Sequence, residues 1–240
     1  MSRRLRQRSS FVREMGACYT GTNWLSISDV SGEIKVAVDL RVPSIHLVAP
    51  DGTVIEGSDA LQGTWSAEQY LRLSDRTNRL FEFTDGQLEL LPMPTDKHQV
   101  VVALLYRVLF PYMERIGGVV LFAALRLHVR ESKFREPDLM ALLDANDPRR
   151  DNRYWRGADL VIEVVNEDDP ERDTIVKRAE YSEGHIPEYW IVNPLDDTFT
   201  VLKWAGGSYA EHGVFRRGEA ATSPLLPDFT VQVSDIFDTR

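Results

Sequence analysis

The chain has 240 residues, of which 43% are hydrophobic and 27% charged, as expected for a folded globular protein of one or two domains. Its apolar stretches are far shorter than the roughly 20 residues of a membrane-spanning helix, which argues against a membrane protein. The formal net charge of −9 argues against a general polyanion binder, because affinity for phosphate backbones comes mainly from Lys and Arg. The single cysteine, Cys18, cannot form an intramolecular disulfide, so we expect a cytoplasmic protein.

The first 20 residues form a basic arm. They carry five arginines and one glutamate, a formal charge of +4, which leaves −13 for the rest of the chain. A solvated tail and a contact to nucleic acid would both account for this arm. Residues 33–40, 44–48 and 53–56 are typical of short strands. We therefore expect residues 1–60 to form the arm and a small β extension, and residues 61–240 to form the functional domain.

Residues 81–90 predict a β-hairpin. Asp85-Gly86 is the dipeptide that tolerates the two positive φ values of a type I′ turn, and a two-residue turn fixes which residues pair across the strands. The apolar residues then pair on one face, and Glu82 lies opposite Glu89 on the other. Like charges directly opposite are unfavourable, so a cation or solvent is expected there.

The remaining elements alternate helices with strands. A long amphipathic helix has apolar residues at i, i+4 and i+8, with Asp96 as its expected N-cap and Gly117 after its end. A second helix is expected to begin at Pro170 and to end at Gly184. Strands are expected at residues 119–130, 138–143, 160–165, 188–192, 198–204, 208–215 and 229–233. This pattern predicts an α/β fold with a mixed β-sheet flanked by helices.

Glu163 is the most informative residue. Strand alternation places it on one face with Val161 and Val165, inside a strand that otherwise has the pattern of a central, fully covered strand. An uncompensated buried carboxylate costs several kcal/mol, so a cation, a metal or strong hydrogen bonds must meet it. A structural ion pair and a functional acid both satisfy this requirement.

Two further residues form a pattern with Glu163. Asp138 follows Pro137 at the start of an apolar strand, where a simple strand-entry turn would also account for it. Two acids on adjacent strands can bind one Mg²⁺ through carboxylate oxygens. Lys177 would be a surface i, i+4 partner of Asp173 if taken alone. However, the first turns of its helix should lie against the carboxyl end of the Glu163 strand, so its ammonium is expected to reach the acids.

The order of these motifs resembles the Uma-two family of restriction endonucleases, within the PD-(D/E)XK nuclease superfamily. The resemblance covers residues 65–237. It rests on residues 81–86, His98, residues 135–138, residues 159–165, Asp173, Lys177, Tyr181 and residues 188–192. It implies a restriction-endonuclease-like core with Asp138 and Glu163 as the two motif acids. The position where the superfamily usually has Lys is Val165 here, and the resemblance implies that Lys177 takes that role.

The expected function is that of a metal-dependent endonuclease that hydrolyses phosphodiester bonds in nucleic acid, with DNA as the expected substrate. Asp138, Glu163 and the main-chain carbonyl of Val164 are the expected ligands of Mg²⁺, and Mn²⁺ is expected to substitute. Lys177 is expected to orient or deprotonate the attacking water and to stabilise charge on the phosphate. A homodimer is expected, because each chain carries one site and a duplex has two strands.

Further candidates are less specific. His98 at the start of the long helix and Glu82 on the hairpin are candidate catalytic residues, although a helix-start histidine is equally common as a solvated residue. Arginines beside aromatic residues can bind phosphates and stack on bases, and a solvated loop accounts for them equally well. The candidate nucleic-acid contacts are Arg149, Arg150, Arg153, Arg126 and Arg130. The alternative function is a catalytically inactive nuclease-fold module that binds nucleic acid or another partner.

Overall fold

The structure is a computed structural model that describes residues 62–77 and 79–238 and, of the preceding residues, four strands. The chain divides into two compact units, Met1–Ser58 and Asp59–Arg240. The basic arm of residues 1–20 lies outside the described residues. The roles expected for the two regions of the sequence stay predictions.

The first unit contains a four-stranded antiparallel sheet whose strands pair in chain order. The strands are β1 (Thr22–Asp29), β2 (Gly32–Asp39), β3 (Ser44–Val48) and β4 (Val54–Ile55). β2, β3 and β4 lie where the sequence predicts strands, and β1 is one strand more than the sequence predicts. Asn23, Ser26 and Ser28 interrupt the apolar pattern of β1, which is why the sequence does not predict this strand. The structure identifies it by its pairing with β2 along its whole length.

The second unit is a mixed α/β body, as expected from the sequence. Its strands are β5 (Phe81–Thr84), β6 (Gln87–Leu90), β7 (Val119–Phe122), β8 (Arg126–Arg130), β9 (Lys133–Arg135), β10 (Leu139–Leu142), β11 (Tyr154–Trp155), β12 (Leu160–Val164), β13 (Glu188–Asn193), β14 (Thr198–Trp204), β15 (Tyr209–Phe215), β16 (Ala220–Thr222) and β17 (Thr230–Gln232). Its helices are α1 (Ala67–Ser74), α2 (Asp96–Ile116), α3 (Lys177–Glu183) and α4 (Val233–Phe237). A π-helical turn, Arg172–Val176, leads directly into α3.

The central sheet has the strand order β15-β14-β13-β12-β10-β7. β12 is parallel to β13 and antiparallel to β10, and each of its residues is buried, which confirms the predicted central strand. α2 packs Val101, Leu105 and Leu109 into the core on one face of this sheet. The aromatic residues Tyr181 and Tyr189 lie in the core on the other face. Each fully buried side chain of this size contributes roughly 1.5–3 kcal/mol, so both faces hold β12 in place.

The second sheet contains the hairpin, in the order β11-β8-β9-β5-β6. Glu82 pairs with Glu89, and Asp85 and Gly86 have φ of 48° and 86°, so the predicted register and turn are confirmed. The single strand predicted over residues 119–130 is wrong. The chain leaves the central sheet after β7 and enters the hairpin sheet as β8. Residues 119–125 are all apolar, and alternating apolar residues follow directly, so the sequence pattern could not reveal this change of partner.

Two smaller expectations also change. Thr95 rather than Asp96 caps α2, because its backbone is still extended (φ −77°, ψ 163°) and its side chain accepts the His98 N–H at 3.2 Å. Asp96 is the first helical residue, where its charge still favours the helix dipole. The last strand, β17, pairs with β16 in a two-stranded sheet instead of joining the central sheet.

Among the described residues, no helix has the length and apolar character needed to cross a membrane.

Candidate active site

Asp138 and Glu163 lie side by side where β10 begins and β12 ends. Leu139 pairs with Ile162 across these antiparallel strands, so the residues next to them, Asp138 and Glu163, are neighbours. The Asp138 N–H lies 3.4 Å from Glu163 Oε2, and the Val164 N–H donates to Asp138 Oδ2 at 2.8 Å. The structure thus brings together the two acids that the sequence singled out.

The Glu163 carboxylate is buried and held through one of its oxygens. Tyr181 donates its hydroxyl to Glu163 Oε1 at 2.5 Å, and Lys177 Nζ lies 2.9 Å from the same oxygen. Burial, only partly opposed by Lys177, raises the pKa of Glu163 to about 8. The neighbouring carboxylates of Asp138 and Asp173 act in the same direction as burial.

Lys177 is enclosed by carboxylates. Its Nζ lies 2.9 Å from Glu163 Oε1, 3.0 Å from Asp173 Oδ1 and 3.8 Å from Glu82 Oε1, and the residue is only 5% exposed. Burial alone would lower its pKa, but these acids raise the pKa of Lys177 well above its ordinary value. The i, i+4 pair with Asp173 exists, but it is not the surface pair that the sequence would suggest. Lys177 therefore remains an ammonium at neutral pH.

His98 approaches the acid pair from the start of α2. Its Nε2 lies 3.2 Å from Asp138 Oδ2, and the two side chains are 12% and 18% exposed. Burial alone would lower the pKa of His98, but the hydrogen bond to Asp138 and the Asp138 charge raise it above its ordinary value. Because Glu163 and Lys177 are more deeply buried, solvent reaches the site from the side of Asp138 and His98.

Glu82 lies one layer behind the acid pair. It has no exposed surface and contacts Arg172, Arg135 and Lys177. Burial alone would raise the pKa of Glu82, but the three cations hold it below its ordinary value. Arg172 also contacts Glu89, so the cation predicted for the like-charge pair is present and that prediction is confirmed.

The donor set suits one Mg²⁺ better than a metal that needs several protein ligands. Glu163 commits Oε1 to Tyr181 and Lys177, and Asp138 commits Oδ2 to Val164 and His98, which leaves the second oxygen of each acid more weakly engaged. Mg²⁺ is usually bound by one or two carboxylates and keeps several waters. Within residues 62–77 and 79–238, no three His, Cys, Asp or Glu side chains are grouped to hold a metal. The two acids are donors of the kind that Mg²⁺ or Mn²⁺ would use, and the metal stays a prediction.

The five candidate nucleic-acid arginines have partners inside the protein. Four of them pair with carboxylates at 2.7–2.8 Å: Arg126 with Asp75, Arg130 with Glu183, Arg149 with Asp159 and Arg153 with Asp75. Arg150 donates to the Ala145 carbonyl and lies over the Trp155 ring. These pairs offset much of the positive charge, and a role in binding nucleic acid stays a prediction.

Two residues of the site were not assigned a role from the sequence. Tyr181 appeared only as part of the family resemblance, although it stands four residues after Lys177 on the same helical face. For Arg172, the sequence predicted only that a cation or solvent should lie beside Glu82 and Glu89. Nothing in the sequence indicates which cation would meet that need.

Comparisons with known proteins address the family and the fold of the chain. The Uma2 family model, described as "Putative restriction endonuclease", matches residues 67–234. A solved structure from Anabaena variabilis, "a putative nuclease belonging to DUF820", is 17% identical, with a TM-score of 0.60 over 72% of this chain and 98% of that chain. At this identity the likeness shows the fold alone. No curated protein matches the chain. The resemblance to the Uma-two family is confirmed, and the chain belongs to the Uma2 family.

Proposed function

We propose that this protein is a divalent-metal-dependent endonuclease that hydrolyses phosphodiester bonds in DNA. The observation that carries the proposal is the pair Asp138 and Glu163 at adjoining strand ends, with Lys177 Nζ 2.9 Å from Glu163 Oε1. Perturbed acids beside a buried cation are typical of functional sites. The family description of a restriction endonuclease supports DNA as the substrate.

Asp138, Glu163 and the carbonyl of Val164 would hold Mg²⁺, or Mn²⁺ in its place. When bound, the ion would offset charge on the phosphate and supply a nucleophile from water at neutral pH. The Val164 peptide is suited to this role because its N–H already contacts Asp138. Glu163 must lose its proton to act as a ligand, so metal affinity should rise with pH.

The remaining side chains have separate roles. Lys177 stays an ammonium and cannot accept a proton, so we assign it the orientation of the attacking water and the stabilisation of charge on the phosphate, and not deprotonation of the water. His98 orients Asp138 and, as a titratable group on the solvent side of the site, is placed to give a proton to the leaving oxygen. Tyr181 holds the Glu163 carboxylate in one orientation.

Cleavage of supercoiled plasmid DNA in Mg²⁺, in Mn²⁺ and in EDTA tests the proposal. Glu163→Gln should abolish cleavage. Glu188→Gln is the matched control, because Glu188 is another buried strand glutamate, 1% exposed, that pairs with Leu160 at the opposite end of β12. Wild-type protein that binds DNA but cuts none with either metal would support the inactive-module alternative. Cleavage by Glu163→Gln at the wild-type rate would make the site assignment wrong.

A further inference from the structure

Arg172 connects the hairpin with the segment that carries Lys177. Its guanidinium contacts Glu82 on β5 and Glu89 on β6, two acids that face each other across the hairpin. The Glu82 side chain is fully buried, whereas that of Glu89 is 56% exposed. Water can therefore stabilise Glu89, but Glu82 depends on protein cations.

Glu82 and Glu163 compete for the same ammonium. Lys177 Nζ lies 3.8 Å from Glu82 Oε1 and 2.9 Å from Glu163 Oε1. The other cation beside Glu82 is Arg135, whose Nε is 3.4 Å from Glu82 Oε2 but which donates to both carboxylate oxygens of Glu180. Arg172 is therefore the cation committed to Glu82.

We propose that Arg172 is a positioning residue that satisfies Glu82 and so leaves the Lys177 ammonium to Glu163. Without Arg172, the fully buried Glu82 would keep the shared Arg135 and the Glu136 N–H, 3.3 Å from its Oε1, as partners. Lys177 has a flexible four-carbon stem and is the nearest cation that can move to it. The loss of Arg172 would then draw Lys177 away from Glu163. This inference rests on the proposed function, in which Lys177 acts at the acid pair.

The local backbone is consistent with Arg172 serving Glu82 and Lys177 serving Glu163. Arg172 is the first residue of the π-helical turn that ends immediately before Lys177. Such turns occur frequently at functional sites. Here the turn directs Arg172 toward Glu82 and places Asp173 and Lys177 together beside Glu163. One short segment thus supplies a separate cation to each of two buried acids.

Two variants and two controls test the proposal. Arg172→Gln removes the cation from Glu82, and the double variant Arg172→Gln with Glu82→Gln also removes the charge that would attract Lys177. Arg178→Gln is the matched control, because Arg178 is the arginine directly after Lys177 and contacts the Tyr209 carbonyl instead. Glu89→Gln removes only the exposed partner. The measurements are crystal structures of each variant together with kcat and KM for plasmid cleavage.

In Arg172→Gln we expect a longer distance from Lys177 Nζ to Glu163 Oε1 and a shorter one to Glu82. A misplacement of this kind should lower kcat by about 100-fold with little change in KM. The double variant should restore both the distance and kcat, and the two controls should behave as the wild type. If Arg172→Gln does not fold, the double variant still decides the question, because it leaves no unpaired charge at position 82.

An unchanged Lys177–Glu163 distance in Arg172→Gln, or a double variant that stays as impaired as the single one, would overturn the proposal. The structures separate this outcome from a failure of the proposed function. If the wild type cuts no DNA but the distances respond as expected, the positioning role stands and the nuclease function fails. If the wild type cuts and Arg172→Gln cuts with the same kcat, the nuclease function stands and the positioning role fails.

Discussion

Replacing Lys177 with Met removes a buried ammonium and keeps an unbranched side chain of similar length. Glu163 at 2.9 Å and Asp173 at 3.0 Å lose their shared cation, in a position where Lys177 is 5% exposed. Removing one partner of a buried ion pair costs about 3–5 kcal/mol, because the remaining charge stays unpaired. We expect Lys177→Met to lower the free energy of unfolding by about 3 kcal/mol at neutral pH.

The cost should depend on pH. The pKa of Glu163 is about 8 in the folded protein, above the 4.5 of an ordinary glutamate. A carboxyl group whose pKa is raised by folding contributes stability below the unfolded pKa, and this contribution is lost as the pH rises through the folded pKa. Without Lys177, Glu163 should hold its proton more strongly. Below about pH 8 the folded wild type and the folded variant both keep this proton, so the difference in stability between them should grow as the pH rises above about 8.

Urea unfolding at several pH values measures this difference. Lys203→Met is the matched control, because Lys203 on β14 is exposed, and it should change the free energy of unfolding by less than about 0.5 kcal/mol. The reasoning would be refuted if Lys177→Met cost no more than this control at alkaline pH. A cost that did not grow with pH would refute the link to Glu163.

Further predictions concern other parts of the structure. The pKa of Glu82 lies below its ordinary value, so its contribution to stability should be lost as the pH falls below about 4.5, and Glu82→Gln should flatten the acid side of the stability curve in urea unfolding. Gly86→Ala should cost about 1–3 kcal/mol in thermal unfolding, and more than Gly206→Ala. Both glycines have positive φ, but a Cβ at Gly86 would lie 2.5 Å from a backbone oxygen whereas the space at Gly206 is open. Changing the loop arginines Arg149, Arg150 and Arg153 to Gln should weaken DNA binding equally for unrelated sequences and reduce the salt dependence of binding in titrations. Unchanged affinity would show that this loop is not part of the DNA interface.

Local signals were sufficient where a few neighbouring residues decide the structure. Asp85-Gly86 predicted the hairpin and its register, because the turn geometry depends on those two residues alone. The β-branched strand around Glu163 predicted both its central place and the need for a compensating group. The order of motifs was also sufficient to indicate the family.

Only the tertiary structure decided which groups meet the buried charges. The sequence required partners for Glu82 and Glu163 and indicated Lys177 as one of them. Arg172 and Tyr181 became partners through the packing of the π-helical turn and α3 against two sheets. The same packing buried Lys177, which the local pattern would place on the surface. A strand or turn follows from interactions between near neighbours in the chain. The partner of a buried charge depends on which of several distant cations the fold brings closest, and differences of about 1 Å decide that choice because Coulomb energies at contact change steeply with distance.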